Sequence, residues 1–170
     1  MKKKNLMKTA SLAVALLAMG LSSCGNDEPV AFDKNEASGV EGFVTFDQVS
    51  DGEVDKNLAA SGVTVRIAYS YDVQVNGEAV EVKTVETTQT DKNGWYSFKL
   101  NVPVAGSADY TLSVSFIESN DEKNGNGEDV TDAKCLFFVS KDGSVAYGST
   151  SIENLKAVKK GMVDKDYANN

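Results

Sequence analysis

The chain offers few side chains that could carry out chemistry. It contains no histidine, which removes the commonest general base and the commonest metal ligand. Its two cysteines are Cys24 and Cys135. Because an unpaired thiol within a strand usually behaves as a small hydrophobic group, we expect Cys135 to be buried and unreactive. We identify no catalytic residue and expect neither an enzyme nor a cofactor.

An acidic segment at residues 118–132 is a candidate cation site. Asn120, Glu122 and Asn124 have the spacing of the first oxygen ligands of a calcium loop, and a glycine occupies the sixth position. The twelfth position is Thr131, where such a loop has a bidentate glutamate, and no flanking helices are predicted. We therefore expect a solvated acidic loop and no metal, with calcium as the weaker alternative.

The aromatic residues suggest a surface for ligand stacking. Trp95 is the single tryptophan, and with Tyr69, Tyr71 and Tyr147 it could form a platform for sugar rings. It alternates out of phase with Tyr96, which would leave it on the outer side of its strand. An aromatic residue beside a turn often covers the edge of a core instead, so that alternative stays open. Carboxylate pairs arise by chance on an acidic surface, and we assign no glycosidase pair.

The amino terminus predicts export and a lipid anchor. Residues 1–23 form a basic segment followed by an apolar run, which is typical of a secretory signal. The apolar run, residues 10–21, would reach only about 18 Å as a helix, short of the ~30 Å membrane core. Leu21-Ser22-Ser23-Cys24 resembles the lipobox of bacterial lipoproteins. We predict cleavage before Cys24 and anchoring to the membrane through lipid on that cysteine.

The residues after the cysteine predict where the protein resides. Residues 24–38 read as a flexible acidic tether, and Asn26, Asp27 and Glu28 resemble the export signal of surface lipoproteins of the Bacteroidota. We expect an outer-membrane location with exposure at the cell surface. The formal net charge of −8 argues against nucleic acid as a partner and against docking of the domain on anionic lipid headgroups.

The remaining chain has the two-residue period of β-strands and predicts one domain, residues 39–163, before a disordered tail at residues 164–170. Turns are predicted at residues 91–94 and 141–143, and Asn76-Gly77 predicts an extended hairpin. The predicted fold class is all-β, an antiparallel Greek-key sandwich of seven or eight strands. The strands are placed at residues 40–46, 63–71, 80–89, 95–100, 110–116 and 135–139, with weaker candidates at 144–150 and 155–160.

Four segments within the domain resemble a known family. Residues 40–44, 61–65, 90–98 and 109–114 are similar to the carboxypeptidase regulatory-like and Cna-B-like sandwiches of the transthyretin-like (prealbumin) type. The most specific piece is Thr-Asp-x-x-Gly-x-Tyr-x-Phe at residues 90–98. The resemblance implies a fold and no activity. Related hydrolases need histidine and a Tyr-Arg-Gly-Ser ending, which are missing here. A lysine–asparagine crosslink occurs in related domains, but its motif is not identifiable in this chain.

We expect a surface-tethered, non-catalytic domain for binding or adhesion, serving as an accessory to glycan uptake. Its partners would be the membrane, through the anchor, and a protein or glycan of unknown identity. The alternative is a pilin-like structural subunit assembled by strand donation. A hydrolase is a more remote alternative.

Overall fold

A computed structural model describes residues 38–163. The predictions on the signal segment, on Cys24 and its lipid, on Asn26, Asp27 and Glu28, and on the tail fall on residues 1–37 and 164–170, outside the described residues. Within the described residues, no helix is long and apolar enough to cross a membrane.

The all-β class is confirmed, with nine strands among the described residues where the sequence predicted seven or eight. The strand at residues 53–59 was missed because nearly all of its side chains are exposed, so it lacks an alternating apolar pattern. The strands are β1 Ser38–Ser50, β2 Glu53–Ala59, β3 Thr64–Val75, β4 Glu78–Gln89, β5 Trp95–Leu100, β6 Ser107–Lys123, β7 Asp129–Ala146, β8 Thr150–Ile152 and β9 Leu155–Met162.

The strands form two layers that share β1. The large sheet has the order β2-β1-β9-β7-β6-β3-β4. The first half of β1 leaves it and pairs with β5 and β8, which together make the small sheet. Most pairings are antiparallel as predicted, but β1 runs parallel to both β8 and β9. Because β1 belongs to both layers, the two sheets are held together by continuous backbone as well as by side chains.

The inward-facing residues follow the predicted alternation. On β5, Tyr96, Phe98 and Leu100 are buried, while Ser97 and Lys99 are exposed. The same phase holds on the other predicted strands, so the predicted register is confirmed. The core contains Val40, Val44, Phe46, Val65, Ile67, Tyr69, Tyr96, Phe98, Leu100, Tyr110, Leu112, Val114, Cys135, Phe137 and Leu155.

The turn at residues 91–94 forms, but it does not close a hairpin between its two strands. The Asp91 carboxylate accepts hydrogen bonds from the backbone N–H groups of Asn93 (2.8 Å) and Trp95 (2.9 Å), and Gly94 has φ +79°. β4 nevertheless pairs with β3, and β5 pairs with β1. The turn therefore carries the chain from the large sheet to the small one. Turn chemistry fixes a local reversal and not the partners of the strands that flank it.

The buried threonine of the same motif fastens this crossing. Thr90 donates its hydroxyl to the carbonyl of Ala60 (2.6 Å) and accepts from the backbone N–H of Val63 (3.0 Å). Backbone hydrogen bonds join Thr90 to Gly62 and Val63 as well. The hydroxyl thus holds the end of β4 against the loop that precedes β3, which accounts for a polar residue at this buried position.

Two further predictions about turns and loops are wrong. Residues 141–143 lie inside β7, where they pair with β6. Gly143 is a glycine because the Tyr110 ring packs directly over its backbone, and a Cβ there would collide with the ring and hydroxyl. The expected acidic loop at residues 118–132 is mostly strand, and only residues 124–128 connect β6 to β7. The predicted extended hairpin at Asn76-Gly77 is confirmed, with β3 and β4 paired along their full length.

Candidate ligand-binding face

The outer face of the small sheet presents a grid of eight positions, three on β1, three on β5 and two on β8. On β1, Phe43, Glu41 and Gly39 lie opposite Trp95, Ser97 and Lys99 of β5. On the other side, Glu41 and Gly39 pair with Ile152 and Thr150 of β8. Directly opposed residues share one face of a sheet, so an aromatic row, an acidic row and a basic row follow one another. We call this surface the aromatic face.

Trp95 and Phe43 form the end of the aromatic face. Their rings meet edge to face with centroids 4.8 Å apart and an interplanar angle of 67°. Phe43 is 41% exposed and Trp95 is partly buried. The predicted outward direction of Trp95 is confirmed. The ring packs on Phe43, which lies outside the core, and it still reaches solvent.

The backbone beneath these rings is fixed by two side chains from the flanking loops. Asp91 accepts from the Trp95 N–H, as described above, and the Asn154 amide oxygen accepts from the Phe43 N–H at 3.1 Å. Both ring-bearing residues are therefore held at the backbone before any ligand arrives. Such preorganisation lowers the entropic cost of binding.

The other rows supply polar and aliphatic groups. Glu41 is partly buried, Ser97 and Lys99 are exposed, and the Ile152 side chain is 68% exposed. An aromatic ring beside hydroxyl, carboxylate and ammonium groups suits a ligand that has both apolar C–H faces and hydroxyl edges. The described residues contain no cluster of three or more His, Cys, Asp or Glu side chains that could hold a metal ion.

The tyrosines that the sequence grouped with Trp95 lie elsewhere. Tyr69 and Tyr71 stack with ring centroids 6.3 Å apart on the inner side of the large sheet, where Tyr69 donates its hydroxyl to Glu86 at 2.9 Å. Burial and this bond raise the pKa of Tyr69 to about 12. Tyr147 packs against the core. The expected four-ring platform is therefore wrong, and Phe43 takes the place of the tyrosines.

A partly buried polar cluster around Glu153 was missed by sequence reasoning. Its carboxylate accepts hydrogen bonds from the hydroxyls of Tyr110 (2.8 Å) and Ser151 (2.9 Å) and pairs with Lys141 Nζ at 2.5 Å. The Tyr96 hydroxyl donates to the Glu153 carbonyl at 2.6 Å. A lone glutamate between two short strands carries no sequence signal for such a cluster.

The electrostatics of this cluster indicate a structural role. The Lys141 ammonium, together with the two hydroxyl donors, holds the pKa of Glu153 below its usual range. Burial raises the pKa of Tyr110 and that of Tyr96. Glu153 is thus ionised and engaged, and it ties Lys141 of β7 and Ser151 of β8 together at a partly exposed position. Every buried side-chain nitrogen and oxygen among the described residues has a hydrogen-bond partner.

The three calcium candidates do not converge on an open site. Asn120 is buried, where its Oδ1 accepts from the Val49 N–H (2.8 Å) and its Nδ2 donates to Glu122. Glu122 forms an ion pair with Lys159. Asn124 Oδ1 accepts from the backbone N–H groups of residues 126 and 128, which orders the turn. Their oxygens therefore serve the β6–β7 hairpin and its contact with β1.

Cys135 is fully buried, as predicted, and burial raises the pKa of its thiol. A thiol with a raised pKa carries little thiolate at neutral pH and is a poor nucleophile. The residue therefore acts as part of the core.

A shallow groove of about 640 Å³ crosses the outer face of the large sheet. Three of its four charged lining residues have partners: Lys83 pairs with Glu81 at 2.9 Å, and Asp142 accepts from the Thr111 hydroxyl at 2.6 Å, while Asp109 is the fourth. Most of the charge in the groove is therefore already engaged within the protein.

No protein-family model matches the chain, and no curated protein matches it in sequence. Among solved structures, it is similar to a Pseudomonas aeruginosa protein provisionally described as carbohydrate-binding, at 16% identity and a TM-score of 0.42. That alignment covers 74% of this chain and 92% of the other. The resemblance to carboxypeptidase regulatory-like and Cna-B-like domains remains a prediction.

Proposed function

We propose that the protein is a lipid-anchored, non-catalytic binding domain of the outer-membrane surface that holds a glycan on its aromatic face. The observation that carries this proposal is the partly exposed, preorganised Trp95–Phe43 pair beside Ser97 and Glu41. Aromatic rings stack on the C–H faces of sugars, and nearby carboxylate and hydroxyl groups bind the hydroxyl edges. Binding to the aromatic face would let the domain act as an accessory to glycan uptake.

The absence of catalysis is supported by how the reactive groups are used. Cys135 is inaccessible, and the Glu153 carboxylate is committed to Lys141 and two hydroxyl groups inside the fold. On the aromatic face itself, Glu41 is the carboxylate of the grid, and Lys99 lies one row further along. A glycosidase of the usual kind needs two carboxylates about 5–10 Å apart across the scissile bond.

The pilin-like alternative depends on an open strand edge, and β4 provides one. Within residues 38–163, β3 is the only strand that pairs with the twelve residues of β4. Its side chains include Glu81, Lys83 and Glu86, and charged residues on an edge strand discourage pairing with further strands. The edge is therefore long enough for strand addition but carries the usual protection against it. Binding on the aromatic face remains the better-supported function.

The binding half of the proposal is tested by calorimetry of the purified chain with a panel of oligosaccharides. Trp95→Ala should weaken binding about 5- to 150-fold, taking the cost of a lost base stack on an aromatic ring, on the order of 1–3 kcal/mol, as the scale. Phe138→Ala is the matched control, since Phe138 is an exposed aromatic residue on the large sheet. Equal losses in both variants would show that the aromatic face is not the site.

The anchoring half is tested on cells. Cys24→Ala should release the chain from the membrane fraction or leave its signal segment uncut. A variant that is processed normally and still fractionates with membranes would refute the lipid anchor. For surface exposure, external protease should digest the wild-type chain on intact cells, and replacing Asp27 and Glu28 with alanine should protect it. Equal digestion of both forms would show that the acidic run is only a tether.

A further inference from the structure

The outer face of the large sheet carries an exposed apolar cluster surrounded by basic residues. The cluster occupies the outward positions of β6, β7 and β9, because Ile117 lies opposite Leu136 and Phe138 lies opposite Val158. Outward positions on this kind of sheet are usually polar. We call this surface the basic–apolar patch; it consists of Ile117, Leu136, Phe138, Val158, Arg66, Lys134, Lys156 and Lys160.

Three of the four apolar members of the patch are open to solvent, and Leu136 is partly buried. Phe138 is 36% exposed, Ile117 45% and Val158 51%. The Lys160 ammonium lies 5.6 Å from the centre of the Phe138 ring, so its aliphatic stem crosses apolar surface while its charge stays outside. Contiguous exposed apolar surface of this kind marks a site where another molecule or a membrane binds.

The charges of the patch run against those of the whole chain. Lys134 donates to the neutral Ser119 hydroxyl at 2.8 Å, and among residues 38–163 no carboxylate forms an ion pair with it. Lys156 is paired with Asp47 at 2.8 Å at the edge of the patch. The opposite end of the same sheet face carries Asp109 and Asp142. A chain with a net charge of −8 therefore concentrates basic groups around its exposed apolar side chains.

We infer that the basic–apolar patch docks on the phosphate-bearing lipid headgroups of the membrane that anchors the protein. This inference rests on the anchor of the proposed function. Lysine and arginine are attracted to anionic headgroups, and neighbouring aromatic and aliphatic side chains enter the boundary between headgroups and acyl chains. The expectation against such docking was based only on the net charge of the chain. A net charge does not show that basic and acidic residues are separated on this face.

Docking through the patch would orient the binding site. The aromatic face and the patch lie on the outer sides of the two opposite layers. With the patch on the membrane, Trp95 and Phe43 point away from it, toward ligands in solution. Residues 25–37 could span at most about 45 Å, which is enough for the domain to settle on the membrane without strain.

The test measures which face of the anchored chain is shielded by lipid. A nitroxide is attached at Ser115→Cys, opposite Phe138, or at Ser97→Cys on the aromatic face. Cys135 is fully buried and stays unlabelled. The full chain is reconstituted in vesicles of phosphatidylethanolamine with one third phosphatidylglycerol, in phosphatidylcholine vesicles, and in detergent. The readout is the collision rate of the nitroxide with a water-soluble nickel chelate.

In the anionic vesicles, the collision rate at position 115 should fall several-fold relative to position 97. Lys134→Glu combined with Lys160→Glu should restore it, whereas Lys92→Glu combined with Lys99→Glu, with the same change in charge, should not. Equal rates at both positions in anionic vesicles would overturn the inference. The inference would also be overturned if position 115 were shielded as strongly in detergent as in anionic vesicles. In that case a second copy of the chain would be covering the patch.

The same chain separates failure of this inference from failure of the anchor. Its mass shows whether Cys24 carries acyl chains. If it does not, the chain is mixed with preformed anionic vesicles, and Lys134→Glu with Lys160→Glu should weaken co-sedimentation by about 25-fold, about fivefold per lysine. Co-sedimentation that is unchanged by this pair would overturn the inference on its own.

Discussion

The two faces of the small sheet use aromatic side chains in opposite ways. On the inner face, Tyr96 and Phe98 are buried, and the Tyr96 hydroxyl is bonded to the Glu153 carbonyl. On the outer face, Trp95 and Phe43 contact each other and remain partly open to solvent. Adjacent residues of one strand therefore belong to the core and to the proposed binding surface in turn. Residue type alone therefore does not reveal whether an aromatic side chain on β5 is buried, whereas its position in the strand alternation does.

The largest expected effect is a loss of stability on the inner face of the small sheet. Phe98→Ala should lower the free energy of unfolding by about 3–5 kcal/mol, because it removes a buried ring and leaves a cavity. Urea denaturation measures the loss. A cost below about 1 kcal/mol would mean that Phe98 is not in the core, and the alternation of β5 would have to be reversed.

A somewhat smaller effect concerns the turn that sets the phase. At Gly94, φ is +79° and an added Cβ would lie 2.6 Å from the Val44 carbonyl oxygen. Gly62 has φ +68° but open space around it, so it isolates the backbone strain. Gly62→Val should cost about 1–2 kcal/mol in urea melts. Gly94→Val should cost at least about 1 kcal/mol more, and equal costs would contradict the close approach.

The dependence of stability on pH tests the contribution of the Glu153–Lys141 ion pair beside the inner face. The pKa of Glu153 is lowered in the folded state by Lys141, so its contribution is present above the unfolded-state pKa and is lost as pH falls through the folded-state value. Unfolding free energy should decline below about pH 4.5. Glu153→Gln should reduce this decline relative to wild type. An identical pH profile for both proteins would show that the Glu153–Lys141 pair contributes nothing.

The smallest expected effect lies on the outer side. Lys99 is exposed next to the buried Phe98 and Leu100, so Lys99→Ala should change stability by no more than about 0.5 kcal/mol. The same urea melts provide the measurement. A loss approaching that of Phe98→Ala would show that the two faces are not distinct.

Local patterns predicted much of this fold. Strict alternation from Tyr96 to Leu100 gave the buried side of β5, and Asn76-Gly77 gave the hairpin between β3 and β4. Strand pairing across the two layers was beyond reach, because the turn at residues 91–94 reads the same whether or not its strands pair. Gly143 was predicted to be a turn residue, but it lies within β7, where its lack of a side chain leaves room for the Tyr110 ring.

The candidate site was predictable only in part. The outward direction of Trp95 followed from its phase, but Phe43 comes from a distant strand and meets it only through the β1–β5 register. The Glu153 cluster likewise joins residues from β6, β7 and the β8–β9 connection. The basic–apolar patch forms because strand pairing places particular outward-facing residues side by side. The net charge of the chain contains no information on this placement.

The central claim is that a glycan is held against Trp95, and the single tryptophan allows a direct measurement. Its fluorescence is followed while the purified chain is titrated with the oligosaccharides that bind in calorimetry. A saturable change in emission is predicted, with the same affinity as the calorimetric curve, and Phe43→Ala should weaken both together. Calorimetric binding that leaves the emission of Trp95 unchanged would contradict the claim and place the ligand elsewhere on the protein.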